Sequence, residues 1–136
     1  MSVEIPAAGY TAKVIRDWTV PQGADTTNAL RYGTVTGETT TYPDLTTWTA
    51  RAQIRDVVAG EVWVEFLSTS SSGPRIDLTD DGYVTVILPA ATTEAWTDEQ
   101  TRAVYDVELI KPDGTVIRLA MGKVKVSPDV TRTSGD

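Results

Sequence analysis

Histidine and cysteine are both absent from the 136-residue sequence. Without histidine there is no side chain of the kind that most often serves as a general base near neutral pH or as a metal ligand. Ser-His-Asp and Cys-His catalysis are excluded outright. Without cysteine there are no disulfides and no thiolate–metal sites, so the chain is expected to fold without redox help, as in a cytoplasm. No stretch approaches the roughly 18 apolar residues of a membrane-spanning helix. The opening MSVEIPAAGYTAKV has neither a basic n-region nor a long apolar h-region, so no signal peptide is expected. Gly-rich phosphate loops and nucleic-acid-binding motifs are missing too. Positive charge is scarce: 12 Lys and Arg stand against 19 Asp and Glu, a formal net charge of −7. That balance favours solubility and disfavours nonspecific contact with nucleic acid or an anionic membrane. No cofactor, no metal and no catalytic residue is expected, and with no convergent acid/base set the chain does not read as an enzyme.

What the sequence does contain is β patterning. Hydrophobic residues make up 40% of the chain, enough for one domain with a core. The most strongly patterned stretch covers residues 103–130, where Tyr105, Val107 and Leu109 alternate with Asp106 and Glu108, the period of a half-buried strand. Pro112-Asp113-Gly114 supplies the chemistry of a type I turn closed by a bulged, left-handed glycine. The returning strand is expected to put Ile117, Leu119 and Met121 on one face. After Gly122 the phase reverses, so that Val124 and Val126 alternate with Lys123 and Lys125, which predicts a β-bulge at the glycine. The two lysines read as a solvated face that protects the strand from edge pairing, and Pro128 ends it.

Elsewhere the chain reads as short strands between turn signals. Residues 1–10 form an irregular arm in which Val3, Ile5 and Tyr10 could dock on a neighbour. Strands are expected at 12–20 and 28–35, separated by a turn at Pro21-Gln22-Gly23, with Leu30, Tyr32 and Thr34 on one side. The Thr-rich residues 37–47 read as a loop. In 48–55, Trp48, Ala50, Ala52 and Ile54 face inward. In 61–67, Val62, Val64 and Phe66 are expected inward and Trp63 outward beside Glu65. A flexible loop at 68–74 precedes a hairpin, 75–78 with 83–88, turning at Asp80-Asp81-Gly82. Residues 89–100 hold the one helix candidate, with Trp96 capping an open end of the sheets. Seven to eight antiparallel strands and one short helix give an all-β chain, expected as an immunoglobulin-like β-sandwich over 11–130 with a polar tail at 131–136.

Three constellations could carry chemistry. Asp77, Asp80 and Asp81 lie just before Gly82, but lack the D-x-D-x-D-G order and distal Glu of a calcium loop, and read as a turn using Asp for backbone hydrogen bonds. Asp106 and Glu108 share one strand face, as paired carboxylates of glycoside hydrolysis must, yet a solvated cross-strand ion pair with Arg118 accounts for them. Trp18, Trp48, Trp63 and Trp96 could stack on sugars. Trp63 is the one expected to be exposed, and an exposed Trp on a sheet marks a protein interface more often than a sugar site.

The segments WTARAQIRDVVAGEVWVEF, RIDLTDDGYVTVILPAATTEAW and AVYDVELIKPDGTVIRLAMGKVKVSPDVTR together resemble small tailed-bacteriophage structural proteins. They are similar to the N-terminal immunoglobulin-like domains of phage upper-baseplate proteins, over residues 48–132. Val20-Pro21-Gln22-Gly23-Ala24-Asp25 resembles the same family's first strand and turn, whereas residues 26–47 are longer and richer in Thr than its pattern. No coiled coil, collagen-like repeat or receptor-binding domain follows Arg132. The resemblance therefore implies a stand-alone, non-enzymatic virion component (tail, collar or neck, baseplate, or capsid decoration) that assembles in the bacterial host cytoplasm. Its partners would be other virion proteins and copies of itself, as a homo-oligomer set by particle symmetry. Candidate interface residues are Val3, Ile5, Tyr10 and Trp63. The alternative expectation is a β-sandwich module binding carbohydrate or a host surface near Trp63 or the 37–47 and 68–74 loops.

Overall fold

A computed structural model describes residues 14–57, 60–97 and 99–128. The expected arm at 1–10, with Val3, Ile5 and Tyr10, and the tail at 131–136 lie outside the described residues. The strands are β1 (Val14–Ile15), β2 (Trp18–Pro21), β3 (Thr26–Arg31), β4 (Thr34–Thr36), β5 (Thr39–Thr41), β6 (Thr49–Asp56), β7 (Val62–Leu67), β8 (Arg75–Leu78), β9 (Tyr83–Leu88), β10 (Arg102–Ile110) and β11 (Val116–Ser127). One short helix, α1 (Ala90–Glu94), follows β9.

The fold is mostly β, in one large sheet and one small one. The large sheet runs β1-β11-β10-β6-β7-β8-β9-β3, with β2 also on β11, and β4-β5 form a separate pair. The sheet is mixed rather than wholly antiparallel: β1 and β2 both lie parallel to β11, and β7 meets β8 in parallel through a single residue pair, Leu67 with Arg75.

The β10–β11 hairpin forms as its pattern predicts. β10 is paired along both edges, to β11 and to β6. Gly114 N–H donates to Lys111 O at 2.9 Å and Lys111 N–H to Thr115 O at 2.8 Å, with Gly114 at φ +92°. Asp113 Oδ1 accepts the Thr115 N–H at 2.9 Å. These bonds close the type I turn with its left-handed glycine.

The bulge lies elsewhere than expected. Val107 pairs with Ala120 and Glu108 with Arg118, so Leu119 is the extra residue. Leu119 and Ala120 are consecutively buried, and Met121 is only half-buried, not on the face of Ile117 and Leu119. Gly122 serves a different need. A Cβ there would lie 2.0 Å from the Arg16 carbonyl oxygen, so the glycine admits the chain that links β1 and β2. Those two strands also cover the second edge of β11, so the exposed Lys123 and Lys125 do not guard a free edge.

A second bulge sets β7. Ile54 pairs with Val64 and Arg55 with Val62, leaving Trp63 unmatched. Beyond the bulge the alternation is displaced, and Val62 is 45% exposed instead of inward. Val64 and Phe66 are buried as expected.

Two other segments depart from the pattern. The expected 12–20 strand is broken between β1 and β2 at Arg16 and Asp17. The expected loop at 37–47 contributes β5, which closes a small hairpin with β4, before Leu45 plunges into the core with no exposed surface. The interior is filled by Leu30, Leu45, Ile54, Phe66, Ile76, Leu88, Leu109 and Leu119, all essentially fully buried. Trp96, buried, follows α1. The 21–25 turn holds that helix in place: Gln22 Nε2 donates to Thr93 O at 3.3 Å and Trp96 O at 3.0 Å, and Asp25 Oδ1 accepts the Ala90 N–H at 2.8 Å.

Candidate interaction surfaces

The outward side chains of β6, β10 and β11 form a charged ladder. Glu108 is flanked by Arg51 on one side, at 2.7 Å, and Arg118 on the other, at 3.6 Å. Asp106 pairs with Arg55 at 3.7 Å, and Gln53 Nε2 donates to Glu65 Oε2 at 3.1 Å. The paired carboxylates are thus taken up by guanidinium groups, the expected Arg118 among them. Such surface pairs contribute about 0.2–1 kcal/mol each.

Of Asp77, Asp80 and Asp81, the last is the one that locks the turn. Asp81 Oδ1 accepts the Thr79 hydroxyl at 2.6 Å, and Thr79 Oγ1 accepts the Tyr83 N–H at 2.9 Å, so the turn uses Asp as expected. Asp81 also approaches Arg31 at 3.8 Å. The Arg31 guanidinium lies 3.4 Å from the Tyr42 ring centroid and 4.5 Å from that of Tyr83. This cation–π stack ties the 37–47 segment to β3 and β9. Nothing in the spacing of the three residues pointed to it, since Tyr42 falls in the stretch expected as loop. Among the described residues, no group of three or more Asp and Glu side chains is placed to hold a metal ion.

Asp44 and Asp113 both have carboxyl pKa values below the ordinary range. At Asp44 the cause is the Thr46 hydroxyl and then the Thr46 N–H; at Asp113 it is foremost the Thr115 N–H. In each case a donor stabilises the charged form. Both carboxyls lie in turns and are fully exposed, which marks them as local turn locks.

The four tryptophans divide into three settings. Trp18 is core, packed edge-on to Tyr105 with ring centroids 5.7 Å apart. Trp63 and Trp96 meet at 5.1 Å with an interplanar angle of 63°. Trp63 is therefore half-buried, turned by its bulge against Trp96, and offers less free surface than alternation predicted. Trp48 is also half-buried and packs against the core, its ring 5.7 Å from that of Tyr32. It borders an open cleft whose walls include the ends of the 37–47 and 68–74 segments. Among the described residues, the large apolar side chains exposed to solvent are Ile15, Val57, Val62, Leu67 and Val116.

Compared with known proteins, the chain matches no protein-family model and no curated protein. The surfaces therefore rest on their own chemistry. They offer a screened charged face, scattered exposed apolar side chains, paired tryptophans and one polar cleft with an aromatic border.

Proposed function

We propose that this protein is a non-enzymatic structural component of a tailed-bacteriophage particle, built as an immunoglobulin-like sandwich. The observation that carries the proposal is the β10–β11 hairpin. The segment bearing the most specific part of the resemblance folds as one hairpin in the interior of the large sheet, and its outward carboxylates are held in ion pairs. That is the architecture of a scaffold strand pair, with no side chains convergent on a reacting atom. The two-layer arrangement is supported by the single residue pair joining β7 to β8. It divides the large sheet into a β1/β2-β11-β10-β6-β7 part and a β8-β9-β3 part, each contributing buried side chains to one core.

Assembly would use the described surface that is apolar and exposed, above all Ile15 on β1, 75% exposed. The partners would be copies of the same chain and other virion proteins, arranged by the symmetry of their place in the particle. Quantitative mass spectrometry of density-purified particles tests this. Recovery at fixed stoichiometry to the major capsid and tail proteins is expected, hundreds of copies indicating capsid or tail tube and a dozen or so indicating neck or baseplate. Absence from the particles overturns the proposal.

A further inference from the structure

A cleft of about 590 Å³ opens where the start of β6, the end of β7 and β8 come together. Its volume lies within the range of small-molecule sites, roughly 300–1,000 Å³. Among its lining residues are Trp48, Asp77, Thr49 and Thr69. We propose that this cleft binds a neutral pyranose sugar, with Trp48 as the stacking surface and Asp77 as the principal hydrogen-bond acceptor.

The argument begins with the ligand's chemistry. A pyranose ring presents a face of C–H groups and a rim of hydroxyls. It needs an aromatic surface for the first and convergent polar groups for the second. The residues lining the cleft include one of the first kind, Trp48, and three of the second, Thr49, Thr69 and Asp77. Its border is also sorted into groups already engaged and groups still available. The Thr46 hydroxyl donates to Asp44 at 2.6 Å, Ser68 Oγ accepts the Ala50 N–H at 2.9 Å, and Thr79 bonds Asp81 and Tyr83. These three shape the rim. Thr49, Thr69 and Asp77, all exposed, make no side-chain hydrogen bond or ion pair among the described residues. A carboxylate can accept from two adjacent hydroxyls at once, and a charged acceptor strengthens each bond.

Trp48 is held in position before any ligand arrives. Its ring packs on Tyr32, and the Lys111 ammonium lies over it, 5.8 Å from the centroid, so a sugar stacking on that face displaces the ammonium. A side chain already ordered loses little entropy on binding. Charge selects against acidic sugars, since Asp77 and a net charge of −7 both repel them. Trp63 is the poorer stacking surface. Its neighbouring hollow is smaller, about 350 Å³, and is bordered by three carboxylates, Asp56, Glu61 and Glu99.

Saturation-transfer NMR with the methyl glycosides of glucose, galactose and mannose, N-acetylglucosamine and glucuronic acid tests the proposal. Titrations then follow tryptophan fluorescence in the wild type and variants. Saturable binding of at least one neutral sugar is expected. Asp77→Asn, a change on an exposed side chain, should weaken it about tenfold, a difference of roughly 1.4 kcal/mol. Trp48→Ala should abolish it and Trp63→Ala leave it unchanged. Trp48→Ala also removes packing, so Asp77→Asn is the deciding variant. No saturable binding by any neutral sugar, equal affinity in Asp77→Asn, loss of binding in Trp63→Ala, or preference for glucuronic acid would each overturn the assignment.

Discussion

Asn28 lies on β3 with 2% of its surface exposed, and its side-chain amide falls short of full hydrogen-bond geometry, its polar neighbour being the Tyr105 hydroxyl, with which the contact is marginal. It is close to Tyr105, whose phenol is pushed up by burial while the Asn28 side chain beside it pulls the other way. The Tyr105 hydroxyl donates to the Arg16 carbonyl at 2.5 Å, so it keeps a partner whatever stands at position 28. A buried amide held only by so marginal a contact carries much of its desolvation cost, about 1–3 kcal/mol when wholly unpaired. Asn28→Leu is therefore expected to stabilise the protein by about 1–2 kcal/mol, read as a higher urea midpoint at unchanged slope. A loss of stability would show that the amide is satisfied by a buried water that the apolar side chain displaces. Sequence alternation placed Leu30 and Tyr32 on the inner face correctly. The same two-residue period carries Asn28 onto that face, but the pattern gave no warning that the strand's first turn of alternation would be buried as deeply as its middle.

At the scale of the hairpin, two glycines show why pattern alone locates turns better than bulges. Gly114 has φ +92° and open space around it, so only backbone conformation restricts it. That requirement is written in the adjacent Pro112 and Asp113, and the turn was legible. Gly122 has no positive φ, and the Arg16 carbonyl fills the place of its side chain. That requirement comes from a segment more than a hundred residues earlier in the chain, so the glycine was taken for a bulge that Leu119 in fact forms. The two sites predict different substitution costs. Gly114→Ala should cost about 1–2 kcal/mol from left-handed backbone strain. Gly122→Ala should cost more, about 3 kcal/mol or above, because a fixed carbonyl must move and the β1–β2 link with it. Denaturant melts of both variants check the order, and an equal or smaller loss at Gly122 would mean the Arg16 segment shifts freely. The same contrast separates the tryptophans. Alternation put Trp63 on the outer face, but a cross-strand mismatch with β6 turned it onto Trp96. The cleft at Trp48 was only half legible, since its two loops could be named from composition while β8, which supplies Asp77, reaches them through the fold.

Over the whole molecule, the absence of histidine becomes a statement about pH. The side chain whose ordinary pKa falls between pH 5 and 8 is missing. Among the described residues, Asp44 and Asp113 move down, through hydrogen bonds to their charged forms, and Tyr32 and Tyr105 move up, through burial. The signs differ at the two limbs. A carboxyl with a depressed folded pKa adds stability that is present above its unfolded value of about 3.9 and is lost as pH falls through the folded value. A phenol with a raised folded pKa adds stability that is present below its unfolded value of about 10 and is lost as pH rises through the folded value. The thermal midpoint is therefore expected to stay level from about pH 5 to 9, then fall on both sides. On the alkaline side, Tyr105→Phe should flatten the decline, because its buried phenol no longer resists ionisation. On the acid side, Asp113→Ala should lower the midpoint at neutral pH and shallow the acid limb. Calorimetric scans across the range decide the matter. With no histidine to titrate there, a step in the midpoint between pH 6 and 7 would place the coupling in a carboxylate whose environment differs from the one described.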